Sequence, residues 1–126
     1  MKRNILQILL SGALTFILVD FLKNIFRVPR PENALIKLND YAFPSGHASV
    51  SFSIAIVLVY IIIKSCLKRD NKFLMSVVVF CGAGYIAYTR LLLQVHTVDQ
   101  ILIGSLIGSL VASIIIFITN KINVHN

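Results

Sequence analysis

Four long apolar runs dominate this chain: Ile5 to Leu22, Ser49 to Ile63, Phe73 to Tyr88, and Ile101 to Thr119. A bilayer core of about 30 Å takes roughly 17–25 helical residues to cross. The first and last runs have that length. The second reaches it when the helix begins near Ser45, and the third when it continues to Thr89 or Arg90. Spans are therefore expected over about 5–22, 45–64, 73–90 and 97–119, as an all-α integral membrane bundle of four transmembrane helices in a single domain, 1–126. Composition excludes the soluble alternative. In 126 residues, 57% are apolar and 13% charged, whereas ordinary soluble domains carry roughly 45–50% and 25%. A chain this small has too little interior to hide that surface from water, so the bilayer is its partner. The basic residues lie between the runs and form no block, which argues against a nucleic-acid partner and against a disordered tail.

The start Met1-Lys2-Arg3 suits a signal peptide, but the run continues to Leu22 without a small-x-small cleavage pattern, so a retained signal anchor is expected. Cys66 and Cys81 sit at the edge of one run and inside another, where they serve as small hydrophobes. The last run carries Gly104, Gly108 and Ala112 beside Ser105, Ser109 and Ser113. Such a stripe lets another helix approach closely, either from the same chain or from a second copy in a homo-oligomer. With four spans, seven Lys and Arg residues fall on the side of the termini and five on the other. Three of those five (Lys23, Arg30, Arg90) have a chemical use argued below. The positive-inside rule then places the termini in the cytoplasm and the loops 23–48 and 89–100 outside or in a lumen.

Those two loops hold most of the unusual polar residues: Lys23, Arg30-Pro31 and Pro44-Ser45-Gly46-His47 from one, and Arg90, His96, Asp99 and Gln100 from the other. Singly, each has an ordinary reading. Lys23 suits a snorkelling anchor, Arg90 a span terminator, and His96 an interfacial histidine. Together they bring three cations, two imidazoles and a Gly-containing helix start to one membrane face, where ionisable groups mark a functional site. That set suits phosphoryl transfer. Charge on the moving group spreads over three equatorial oxygens, and arginine offers a donor fork matched to them. The amides around Ser45, Gly46 and His47 can point at an anion, the Ser45 hydroxyl adds a donor, and Gly46 leaves room for close approach. The carboxylates Asp20, Glu32, Asp40, Asp70 and Asp99 are scattered. No metal cluster is expected and no cofactor, which leaves a histidine nucleophile with a histidine acid.

The motifs Lys23-x6-Arg30-Pro31, Pro44-Ser45-Gly46-His47 and Thr89-Arg90-x5-His96 occur in order. They resemble the three signatures of the type 2 phosphatidic acid phosphatase superfamily, membrane lipid phosphatases that share their site with vanadium haloperoxidases. The resemblance spans about residues 20–108. It implies that His96 is the nucleophile, forming a phosphohistidine, and that His47 is the general acid. It also implies that Lys23, Arg30, Arg90, Ser45 and the Gly46 amide bind the phosphoryl oxygens of a lipid phosphate, with no metal.

Three departures accompany it. Thr89 stands where serine is usual. Four residues after His96, where a carboxylate orients the ring in the family, stands Gln100, with Asp99 one residue earlier; both i+3 and i+4 face back to His96 on a helix, so both are candidates. The two leading spans of many members are missing. The stretch His96-Thr97-Val98-Asp99-Gln100 is similar to the dolichyl diphosphatase branch, which leans the substrate toward a polyprenyl diphosphate. Alternatives are a phosphatidate or phosphatidylglycerophosphate phosphatase with the same site, or a catalytically degenerate membrane protein acting as a binding or assembly partner.

Overall fold

In lipid the groups that need hiding are the polar ones, and the helices of this chain are arranged accordingly. A computed structural model describes residues 2–122. Its elements are α1 (Lys2–Phe26), α2 (Gly46–Lys64), α3 (Arg69–Leu92) and α4 (Val98–Ile122), each long and apolar enough to cross a membrane. The fold is all-helical, as the four runs predict. The helices outrun the apolar stretches because basic end residues such as Lys2, Arg3 and Arg69 continue the helix while their heads reach toward water. Met1, the start of the expected signal-anchor segment, lies outside the described residues.

The inward faces carry small and polar side chains. On α1 the buried residues recur every fourth position, as Gln7, Ser11, Thr15, Val19 and Lys23. Phe16, Ile17 and Phe21 of the same helix are exposed, as lipid-facing side chains should be. Buried hydroxyls and amides find partners across helices: Thr15 Oγ1 donates to Ser53 Oγ at 2.9 Å, and Gln7 Nε2 to Thr119 Oγ1 at 2.7 Å. Tyr60 Oη donates to Asn120 Oδ1 at 3.1 Å. The first joins the middles of α1 and α2, and the other two tie the ends of α1, α2 and α4 that lie away from the loops 27–45 and 93–97.

The helix pair α2–α4 makes the most extensive contact, and α1 packs on both, whereas α3 leans on α2 and barely touches α4. The α2–α4 contact is made by Gly104, Gly108 and Ala112. A Cβ added to Gly104 would lie 2.7 Å from the Ser45 carbonyl oxygen, and one added to Gly108 would collide with the backbone of Ser49. The small-residue stripe is therefore used inside the chain, against α2. Of the two neighbours the stripe allows, the one seen here is in the same chain, where α2 buries the Gly104/Gly108 face. The neighbouring Ser105, Ser109 and Ser113 return their hydroxyls to the carbonyls of Ile101, Ser105 and Ser109 on α4 itself.

Gly108→Ala should separate α2 from α4. The expected loss is about 1–3 kcal/mol, read as a lower midpoint of thermal unfolding in detergent, while Gly82→Ala, whose added Cβ meets nothing within 4 Å, should leave the midpoint nearly unchanged.

Candidate active site

Alternating up and down, four helices bring the C-terminal ends of α1 and α3 to the same face as the N-terminal ends of α2 and α4. Each end carries chemistry. Lys23 lies in the last turn of α1, Gly46 and His47 in the first turn of α2, Arg90 in the last turn of α3, and His96 just before α4. A cavity of about 390 Å³ is lined by Lys23, Arg30, Gly46, His47, Arg90 and His96, together with Asp20, Asp40 and the apolar Phe16, Val19, Leu38, Val50 and Val95. Six residues drawn from all three sequence motifs thus face one space.

Local structure explains how His96 reaches it. At the end of α3, Val95 N–H donates to Arg90 O at 3.2 Å and Gln94 N–H to Leu91 O at 2.9 Å, while Gln94 adopts φ 54°. This is a Schellman closure with a left-handed residue at its turn, and it reverses the chain within three residues. The Thr97 carbonyl accepts from Ile101 N–H at 3.2 Å, which starts α4. Gln100 then reaches back as in a capping box, its Oε1 accepting from Thr97 N–H at 3.2 Å.

That same oxygen lies 3.1 Å from His96 Nδ1. The backbone donor of Thr97 identifies this atom of Gln100 as the carbonyl oxygen, which can only accept, so His96 Nδ1 carries the proton and Nε2 keeps the lone pair. On the other side of the ring, Arg30 Nη1 is 3.4 Å from Nε2 and donates to Val95 O at 3.0 Å. Burial is the largest cause of a depressed His96 pKa, at about 4. The Gln100 bond opposes the shift, and the Arg30 and Lys23 charges reinforce it. At neutral pH the ring is a buried, neutral base, 4% exposed.

Asp99 does not share this place. Its carboxylate is exposed and accepts from Thr97 Oγ1. The expectation that Asp99 could serve beside Gln100 is corrected: at i+3 the side chain falls outside the cavity, and only Gln100 meets the ring.

Ser45 is fully buried, its amide donating to Gln100 O at 3.2 Å and its carbonyl accepting from Ser49 N–H and Oγ. Its own hydroxyl bonds to no protein group among the described residues. Gly46 lines the cavity, and a Cβ there would lie 3.6 Å from Val19 Cγ1, an ordinary contact. Glycine is thus not demanded by the protein's own packing; an added methyl would take up cavity space instead. Arg90 Nε is 3.1 Å from Thr89 Oγ1, so threonine at the serine position keeps the hydroxyl next to the arginine.

One site residue was not found by sequence reasoning. Asp40, read as a scattered carboxylate, forms ion pairs with both Lys23 and Arg30, its Oδ1 lying 2.5 Å from Arg30 Nη2. Burial raises its pKa, but hydrogen bonds and charges from Lys23 and Arg30 outweigh that and hold it at about 2. The signal available was its place in the loop between two cationic motifs. Among the described residues no group of three or more His, Cys, Asp or Glu side chains is arranged to hold a metal ion.

The profile of the PAP2 superfamily matches residues 4–123. In structure the chain is similar to the first transmembrane PAP2-type phosphatidylglycerolphosphate phosphatase from Bacillus subtilis, with a TM-score of 0.83 and 26% identity over 93% of this chain and 59% of that one. It is also similar to LpxE of Aquifex aeolicus, with a TM-score of 0.76 and 30% identity over 92% of this chain and 68% of that one. The chain therefore spans about three-fifths of the length of the Bacillus protein. Comparison with curated protein sequences gives no match. On the profile match and the ordered motifs around one cavity, the chain belongs to the PAP2 superfamily.

Proposed function

We propose that this protein is a metal-independent phosphatase that removes a phosphate from a membrane lipid through a phosphohistidine on His96. The observation that carries the reading is the neutral His96 ring, held by Gln100 with its Nε2 lone pair toward a cavity lined by Lys23, Arg30 and Arg90. Nε2 attacks phosphorus, and the bond from phosphorus to the leaving oxygen breaks. His47 gives its proton to that oxygen, so the lipid leaves as a neutral hydroxyl or a smaller phosphate. Water, giving a proton back to His47, then attacks the phosphohistidine, and Nε2 departs with its lone pair restored. The three cations stabilise the equatorial oxygens, with the Gly46 amide at the start of α2 as a further donor; the Ser45 hydroxyl is buried and does not line the cavity.

The apolar wall of Phe16, Val19, Leu38 and Val50 suits a lipid tail lying beside the cationic end. Gln100 as the ring-holding residue supports a polyprenyl diphosphate as substrate, by its likeness to the dolichyl diphosphatase branch. A second reading, a glycerophospholipid phosphate monoester, is favoured by the similarity to the Bacillus phosphatidylglycerolphosphate phosphatase. The excess of basic residues at the opposite end supports a cavity opening outside or into a lumen.

His96→Ala should abolish phosphate release from every lipid phosphate while the thermal midpoint in detergent is kept, and wild-type turnover by that variant would remove the nucleophile. His47→Ala should cost roughly 10²–10⁴-fold in kcat. A panel of polyprenyl diphosphate, phosphatidate and phosphatidylglycerophosphate, compared by kcat/KM, decides between the two substrates. Absence of turnover on any of them, with vanadate without effect, would favour a binding role.

Because His96 titrates near 4, its ring stays unprotonated well below the ordinary histidine range, and its acid limb in kcat/KM should lie well under pH 6.5. Gln100→Asp places an anion against Nδ1–H, which stabilises the imidazolium and raises the His96 pKa. The acid limb should then move up by about one pH unit or more. Measuring both enzymes with one substrate cancels the substrate's own titration, and an unmoved limb would assign it to another group.

A further inference from the structure

Arg30 and Lys23 are the cations nearest the phosphoryl chemistry, yet neither stands free in this structure. The Asp40 carboxylate takes one oxygen to Lys23 Nζ and the other to Arg30, whose Nε and Nη2 are 3.2 and 2.5 Å from Oδ1. The two cationic side chains are 11% and 10% exposed, whereas the Asp40 side chain is 51% exposed. The carboxylate is therefore the accessible member of the cluster, and the two cations it bridges are largely covered.

The Asp40 side chain is not the loop's only tie. Ala42 N–H donates to Val28 O at 2.8 Å, Leu35 N–H to Leu93 O at 3.0 Å, and Asn33 Nδ2 to Gln94 Oε1 at 2.8 Å. Arg30 Nε also donates to the Asp40 backbone carbonyl at 3.1 Å, a bond that survives loss of the side-chain charge. With these tethers present, the carboxylate's distinctive contribution is electrostatic: two oxygens bridging two cations, as two oxygens of a phosphoryl group would.

We propose that Asp40 is a specificity-determining residue, an internal anion that occupies the phosphoryl-oxygen positions of the resting site and is displaced by the substrate's phosphoryl group. This rests on the phosphatase reading of the cavity. A lipid phosphate brings tail burial against Phe16, Val19, Leu38 and Val50, which helps it displace the carboxylate. Inorganic phosphate has only its charge to offer against a competitor of the same sign. Asp40 thus favours lipid-attached phosphate over free phosphate and limits inhibition by the product.

The test uses the full chain in detergent, titrated calorimetrically with orthovanadate and with inorganic phosphate, beside steady-state assays on a lipid phosphate. Asp40→Asn should bind both oxyanions on the order of tenfold more tightly, since one competing charge is gone. Its Ki for phosphate should fall by more than its KM for lipid substrate. Asp40→Glu, which keeps the charge, should stay near wild type. In labelled wild-type protein the Asp40 carboxyl ¹³C resonance should move when vanadate binds, a measurement that stands even where a variant fails to fold. Unchanged or weaker oxyanion binding in a folded Asp40→Asn, or an unmoved resonance under saturating vanadate, would overturn the proposal while leaving the phosphatase reading intact. Oxyanion binding by neither wild type nor variant would overturn both.

Discussion

The contact on which the rest of the structure depends is the close approach of α2 and α4 through glycine. Gly104 and Gly108 leave no Cβ between the helices, so the carbonyls of Ser45 and Ser49 can rest against α4. In a bilayer, where lipid tails solvate apolar side chains as well as protein does, this backbone proximity and its van der Waals contact hold the pair together. The consequence reaches the site directly. Ser45 N–H bonds to Gln100 O at 3.2 Å, which puts the start of α2, with Gly46 and His47, in register with the start of α4, with His96 and Gln100.

Gln100 joins two structural tasks at that point. It caps α4 by accepting from Thr97 N–H, and the same oxygen fixes the His96 tautomer. Helix capping and ring orientation thereby share one acceptor atom, so loss of the Gln100 side chain would remove both. A neutral amide does this without adding an anion beside the ring, which accords with the low His96 pKa. Negative charge in the cavity comes instead from Asp20 on α1 and from Asp40, which is ion-paired with Lys23 and Arg30.

The interior of the bundle reverses the soluble pattern. Gln7, Ser11, Thr15, Ser49 and Ser53 are buried, while leucines, isoleucines and phenylalanines face outward. The hydroxyls of Ser11, Thr15 and Ser49 bond across helices or back to carbonyls three or four residues earlier, since a bilayer core offers no water to satisfy them. α3 takes the smallest part in this polar interior, with Ala83 and Ala87 as its buried residues. Its contribution to the site is made at its end, through Arg90 and the turn that delivers His96.

The fold class was legible because hydropathy acts along the chain: a run long enough to cross lipid must be a helix wherever its neighbours lie. The cationic and imidazole residues were legible for a related reason. Lys23, Arg30, His47, Arg90 and His96 sit at span ends that alternation alone brings to one face. What the helix period could not decide was settled by contacts between elements. Asp99 and Gln100 both fall on the face of His96 by spacing, but only the actual entry angle of α4 sends one to the ring and the other to the surface. The glycine stripe announced a close helix neighbour without identifying it, since the same small residues serve a partner in the chain or outside it, and the α2 backbone turned out to fill that place. Asp40 carried no periodicity and no motif. Its role depends on a long loop folding over α1 so that one carboxylate meets two cations, a meeting between residues 17 and 10 positions apart that only the tertiary structure brings about.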